Sequence, residues 1–188
     1  MANKVYFGLK NVMFGSITHT GSTYTYGAPT AWPGAVNFAA TPNGEENEFE
    51  ADNMVYFSTP GTSGYDISYE CAEIPEAFLT GFCGYVVDAN NVVVDNSGEL
   101  APFYLVGQID GDANNTQFAF YNCMLSTKPA LEAETSRAKA PKTRTLSITA
   151  YPSEDSTLKG ACMARTKSDT ASTVSSGWFT TLYKPSIS

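Results

Sequence analysis

Carboxylates at every second position between Glu46 and Asp52 are the residues most able to do chemistry in this chain of 188 residues. In Glu45-Glu-Asn-Glu-Phe-Glu-Ala-Asp52, a strand puts Glu46, Glu48, Glu50 and Asp52 on one face and Asn47, Phe49 and Ala51 on the other. Four aligned carboxylates repel one another, so they need water, cations or basic partners. Carboxylate oxygens suit Ca²⁺, but the loop spacing of an EF-hand is absent. An edge strand guarded by charge against aggregation has the same pattern, and so does an acidic wall past which phosphate backbones slide.

Other chemistries find less support. A small jelly-roll glycosidase needs two carboxylates facing each other across an aromatic-lined cleft. Glu70 and Glu73 lie in an apolar, strand-like stretch, but at a spacing of three they point to opposite sides, and Trp32 and Trp178 are the only tryptophans. The single histidine, His19, argues against a Ser-His-Asp triad, a Cys-His dyad or a multi-histidine zinc site. Cys71, Cys83, Cys123 and Cys162 form no Cys-x-x-Cys pair, so free buried thiols are expected. Gly61-Thr-Ser-Gly64 leads into no helix that could cradle phosphate. Asn114-Asn-Thr116 has the spacing of a glycosylation site, yet no apolar signal core follows Lys4. No catalytic residue, metal site or cofactor is expected.

Charge is the most uneven property of the chain. The net charge is −8, against the basic patches that nucleic-acid readers need. Residues 1–127 carry −12 and residues 128–188 carry +4. Arg137, Lys139, Lys142 and Arg144 cluster in the basic part. A protein that stacks on copies of itself gains from such opposite fields, which steer docking and suppress wrong pairings.

The elements that must position these groups are β-strands. Aromatic and β-branched runs recur between turn residues: Val5–Leu9, Val12–Ile17, Gly34–Phe38, Met54–Phe57, Ile67–Cys71, Val92–Val94, Phe103–Ile109, Gln117–Leu125, Thr145–Tyr151, Leu158–Ala164 and Trp178–Tyr183. Asp88-Ala-Asn-Asn91 and Asp110-Gly-Asp-Ala-Asn-Asn115 read as hairpin loops. One helix is expected over Pro75–Cys83, with Phe78, Leu79 and Phe82 as its apolar stripe and Gly84 as its stop. Residues 18–33 and 126–144 are rich in Thr, Gly, Pro or charge and read as extended arms that order on neighbours. Tyr24, Tyr26 and Trp32 are then candidate arm aromatics at subunit contacts. Trp178-Phe179 reads as a core anchor. The length fits one domain, 1–188, mainly β, large enough to bury about 70% of its unfolded surface. No run reaches the length of a membrane span.

The order of these segments resembles the major tail proteins of long-tailed phages of Gram-positive bacteria. The resemblance is carried by Lys4-Val-Tyr-Phe-Gly-Leu-Lys-Asn-Val12, Tyr26-Gly-Ala-Pro-Thr30, Pro33-Gly-Ala-Val-Asn37 and Ala51-Asp-Asn-Met-Val-Tyr-Phe57. It continues through Gly64-Tyr65, Ile74-Pro-Glu-Ala-Phe78, Phe120-Tyr-Asn-Cys123, Leu125-Ser-Thr-Lys-Pro129, Thr143-Arg-Thr-Leu-Ser-Ile-Thr-Ala150 and Trp178-Phe179. Cys71, Cys83 and Cys162 depart from the family's pattern.

The resemblance implies a tail-tube-type β-sandwich or partial barrel with one flanking helix and long loops. It implies hexameric rings, stacked into a tube around a tape-measure protein, with tail terminator and initiator proteins as further partners. DNA would meet the lumen only transiently, without specific binding. The product would be part of a virion tail assembled in the host cytoplasm, with no membrane partner. On this reading Glu46, Glu48, Glu50 and Asp52 are lumen or inter-ring acids, and Arg137, Lys139, Lys142 and Arg144 their basic counterparts. A β-sandwich module that recognises sugar or protein, predicting a monomer with an aromatic-lined groove, is the alternative.

Overall fold

Short β-runs bounded by turn residues have to pair with distant runs, and in the computed structural model most of them join one sheet. The structure describes residues 8–44, 46–51, 54–60, 64–111, 115–131, 133 and 142–186, with 46–51 and 54–60 described by their backbone alone. In chain order the elements are β1 (Leu9–Thr20), β2 (Thr23–Tyr26), β3 (Thr30–Ala31), β4 (Ala35–Asn43), β5 (Glu46–Ala51), β6 (Met54–Pro60) and β7 (Gly64–Cys71). Then follow α1 (Glu76–Phe82), β8 (Tyr85–Val87), β9 (Val93–Asp95), β10 (Phe103–Ile109), β11 (Gln117–Leu125), β12 (Arg144–Ala150), β13 (Met163–Arg165) and α2 (Ser172–Gly177). Nine strands form a sheet in the order β2-β1-β10-β11-β12-β7-β4, with β3 added to β1 and β13 to β11. β5 pairs with β6 and β8 with β9, all antiparallel. The fold is mainly β, as the sequence predicts, and among the described residues its sheets are open, with no closed barrel.

Alternation decides where the core sits. Phe103 and Leu105 of β10, Phe118 and Phe120 of β11, Ile67 and Tyr69 of β7, and Leu146 and Ile148 of β12 share one face. α1 lies on that face through Phe78 and Phe82. Phe14, Trp32 and Phe78 meet as a ring cluster, with centroids 5.5 Å apart for Phe14–Trp32 and 5.1 Å for Phe14–Phe78. Trp32 also lies 4.9 Å from Tyr69, so it ties β1 to β7 across the core. Tyr104, Val106, Ala119 and Tyr121 point to the opposite face, where Leu158, Trp178 and Leu182 cover them. β10 and β11 are therefore buried on both sides, which is why Phe103–Val106 is apolar at four successive positions. A register shift opposite Phe103–Leu105 reverses the alternation in β11, so that Cys123 and Leu125 return to the first face.

The helix and both hairpins match expectation. Pro75 (φ −60°) precedes the first turn of α1, and Gly84 ends the element at φ +70°. A Cβ at Gly84 would collide with the Gly98 carbonyl, so close approach as well as backbone conformation demands glycine there. The Asp88 carboxylate accepts the N–H groups of Asn90 and Val92 at 2.8 Å, closing the β8–β9 loop.

Two strand expectations need correction, and residues 18–33 contain a hairpin. β1 runs on to Thr20, turns at Gly21 (φ +60°) and pairs with Thr23–Tyr26, because alternate Thr and Tyr residues give β2 the pattern of a strand. Leu158–Ala164 is not one strand. Asp155 caps a 3-10 turn at Ser156–Leu158, and positive φ at Lys159 and Gly160 reverses the chain before β13. Trp178–Tyr183 is not a strand either. It follows α2 as turns, with Trp178 buried and its indole N–H donating to the Phe118 carbonyl at 3.2 Å. The expected core-anchor role of Trp178 holds, reached by a different backbone.

Candidate functional site

An open strand edge comes first. β4 pairs with β7 through Ala35–Asn43, and no described strand pairs with its other edge. Its sequence, Ala-Val-Asn-Phe-Ala-Ala-Thr-Pro-Asn, contains no charge. Val36, Asn37, Ala39, Thr41 and Pro42 are exposed, while Phe38 turns inward and stacks on Phe118 with centroids 4.8 Å apart. Edge strands in proteins that stay single are commonly short, charged or covered. This one spans nine residues and relies on Pro42 alone, which lacks an N–H. Sequence reading ends the strand at Phe38; the missing signal is that Ala39–Asn43 keeps alternating in exposure without any strong β-former.

The acidic candidates follow directly along the chain. Glu46, Glu48 and Glu50 occupy alternate positions of β5, in register with Pro60, Ser58 and Val55 of β6. Asp52 lies outside the described residues, as do Arg137 and Lys139. The remaining basic candidates flank the start of β12. Lys142 is exposed, whereas Arg144 donates from its guanidinium to the Ala130 carbonyl at 2.8 Å and so fixes the segment after β11. Beside it, the Thr143 hydroxyl donates to the Glu70 carboxylate. Glu73 lies beyond β7, and its main-chain carbonyl accepts the Trp32 indole N–H at 3.0 Å.

The three arm aromatics separate. Trp32 is 1% exposed and belongs to the core, which overturns its expected role at a subunit contact: a side chain of that size in a ring cluster gains more from burial than from waiting for a partner. Tyr24 and Tyr26 remain partly exposed at one corner of the molecule. The Tyr24 hydroxyl donates to the Glu154 carboxylate at 2.9 Å, and this bond raises its pKa. The Tyr24 ring stacks on His19 at 5.6 Å. Next to it, Lys184 Nζ sits 4.7 Å from the Tyr26 ring centre and 3.0 Å from the buried Asp155 carboxylate. Glu154, Asp155 and Lys184 are not among the residues the sequence singles out. The one signal was Asp155-Ser-Thr157, the pattern of a capped turn.

The thiols behave as expected for buried cysteines. Cys71, Cys83 and Cys123 are buried, Cys162 partly so, and all four are free. Burial raises the pKa of each, to about 12 at Cys83. Among the described residues no group of three or more His, Cys, Asp or Glu is placed to hold a metal ion, and no helix is long and apolar enough to cross a membrane.

No family model and no curated protein matches the sequence. Among solved structures, the chain is similar to the tube-terminating cap of the anti-feeding prophage, at 8% identity and a TM-score of 0.48, over 89% of this chain and 95% of that one. It is also similar to the sheath/tube terminator, in the extended state, of the extracellular contractile injection system PVC. That match has 9% identity and a TM-score of 0.43, over 88% of this chain and 100% of that one.

Proposed function

We propose that this chain is a structural, non-enzymatic subunit of a phage tail tube. Copies assemble into hexameric rings that stack around a tape-measure protein, bind terminator and initiator proteins at the ends, and conduct DNA during ejection. The virion tail, built in the host cytoplasm, is its location. The observation that carries this reading is the outer edge of β4: nine uncharged residues, with Val36, Asn37, Ala39, Thr41 and Pro42 exposed, and no described strand paired on that side. Pairing with a strand of the next copy would satisfy its backbone groups and continue the sheet around a ring. The ordered resemblance to major tail proteins and the division of charge into −12 and +4 support the same reading. Glu46, Glu48, Glu50 and Asp52 then face the lumen or the next ring, with Arg137, Lys139, Lys142 and Arg144 as basic counterparts. An acidic lumen repels phosphate and lets DNA pass without binding, the reverse of counterion release on a basic surface.

The test is Ala39→Lys, a charge placed on the exposed part of the edge. Sedimentation velocity should show assemblies for the wild-type chain and monomers for the variant, with unchanged far-ultraviolet circular dichroism. Assembly by the variant at wild-type concentrations would remove β4 from the interface. The second reading, a sugar- or protein-recognising module, is favoured by one observation, the groove that His19, Tyr24, Tyr26 and Tyr151 help to line. It predicts a monomer that binds a soluble ligand there.

A further inference from the structure

Between the turn that joins β10 to β11 and the helix α2 lies a cavity of about 490 Å³, within the size range of small-molecule sites. Among the described residues its lining holds no aromatic ring and no carboxylate. Gln108, Gln117 and Thr166 are its buried part, each at most 8% exposed. Its single cation, Lys167, is exposed and ion-paired with Asp169 at 3.0 Å.

Gln117 is the residue that points to a ligand. Its Nε2 donates to the Ser175 carbonyl at 3.0 Å, which fixes the orientation of the amide. Its Oε1 is then shut off from bulk water, and no described donor reaches it. A buried acceptor left unmet is costly, and a donor delivered from the cavity relieves that cost. The rest of the wall offers both halves of a hydrogen bond. The Thr166 hydroxyl accepts the Gln117 N–H at 2.9 Å and the Thr170 hydroxyl accepts the Lys167 N–H at 2.9 Å, so each keeps its hydrogen to donate. The Ser175 and Ser176 hydroxyls donate to the Ser172 and Thr173 carbonyls, both at 3.2 Å, and keep lone pairs to accept.

We propose that this cavity binds a neutral carbohydrate, with Gln117 Oε1 accepting a hydrogen bond from one of its hydroxyls. The chemistry of the wall selects that class. A hydroxyl both donates and accepts, and here donors at Thr166 and Thr170 stand beside acceptors at Gln117, Ser175 and Ser176. An inorganic anion only accepts, so it would set its own oxygens against Gln117 Oε1 and the serine lone pairs. A hard cation finds no carboxylate in the wall, and a nucleobase finds no ring to stack on. The cavity shares no residue with β4 or with the groove of Tyr24 and Tyr151.

Isothermal titration calorimetry of the full chain with maltotriose, cellotriose and tri-N-acetylchitotriose tests it. At least one should bind saturably, with the same affinity at low and high salt because no charge is neutralised. Gln117→Met removes the acceptor at nearly constant length and should weaken that binding about tenfold. Ser176 is exposed, so Ser176→Ala reads the contact even if Gln117→Met disturbs the fold, and it should also weaken binding. Tyr151→Ala, in the other groove, should leave binding unchanged. Saturable binding of none of the three saccharides would overturn the proposal. So would binding that Gln117→Met and Ser176→Ala leave at wild-type strength, binding that Tyr151→Ala abolishes, or tighter binding of inorganic phosphate than of any of the saccharides. None of these results bears on self-assembly, which the β4 variant tests separately.

Discussion

Lys184 Nζ lies 3.0 Å from Asp155 Oδ2, joining the last described segment of the chain to the turn before β13. Burial alone would push the Asp155 carboxyl up, but hydrogen bonds from the Thr157 hydroxyl and N–H, together with the Lys184 ammonium, outweigh it and hold the pKa at about 2. The sign follows. A carboxylate lowered from its usual value of about 3.9 stabilises the fold fully above that pH and loses the contribution as pH falls from about 4 towards 2. Urea denaturation across pH 7 to 2 should therefore show a steeper acid-side loss for the wild-type chain than for Asp155→Asn. Lys184→Met should move the loss to higher pH. Parallel curves for the wild-type chain and Asp155→Asn would contradict the assignment.

Tyr104 and Gly15 face each other across β10 and β1, and the Tyr104 ring lies where a Cβ at Gly15 would be. The hydroxyl reaches beyond to donate to the Gly27 carbonyl at 2.5 Å. Gly15→Val should cost about 1–3 kcal/mol by forcing the ring aside. Tyr104→Phe should cost about 1 kcal/mol by leaving the carbonyl unmet. Thermal or urea unfolding measures both. A neutral Gly15→Val would show that the ring does not cross β1.

Thiol accessibility gives a second check on the core. Native protein at pH 8 should react with an aromatic disulfide reagent first at Cys162, which is only partly buried, with Cys71, Cys83 and Cys123 reacting on the timescale of unfolding. Denaturant should release all four at once. Rapid labelling of Cys123 in the native state would mean that the sheet opens locally at β11.

Much of the β-architecture was legible because it is written in short-range signals. Asp88–Asn91 could only be a loop, and Leu146, Ile148 and Ala150 could only share a face. The stretches that misled were those decided by distant partners. Trp32 lies in a Thr, Gly and Pro-rich stretch that reads as an arm, yet its place is set by Phe14 and Tyr69, 18 and 37 positions away in the chain. Trp178-Phe-Thr-Thr-Leu-Tyr183 has strand composition, but β11 is already paired there with β10 and β13, so the segment covers the sheet instead of joining it. The corner formed by Tyr24, Glu154, Asp155 and Lys184 was invisible for the same reason: the Tyr24–Glu154 bond spans 130 positions of sequence. The alternation of Glu46, Glu48 and Glu50 along a strand was readable locally and is present in β5.

In the proposed tube, each chain completes the sheet of another. Cryo-electron microscopy of the purified protein, across concentration and salt, measures this directly. It should show rings or tubes in which β4 of each copy lies hydrogen-bonded against a strand of its neighbour. Dispersed particles throughout, or assemblies whose copies share no such pairing, would contradict it.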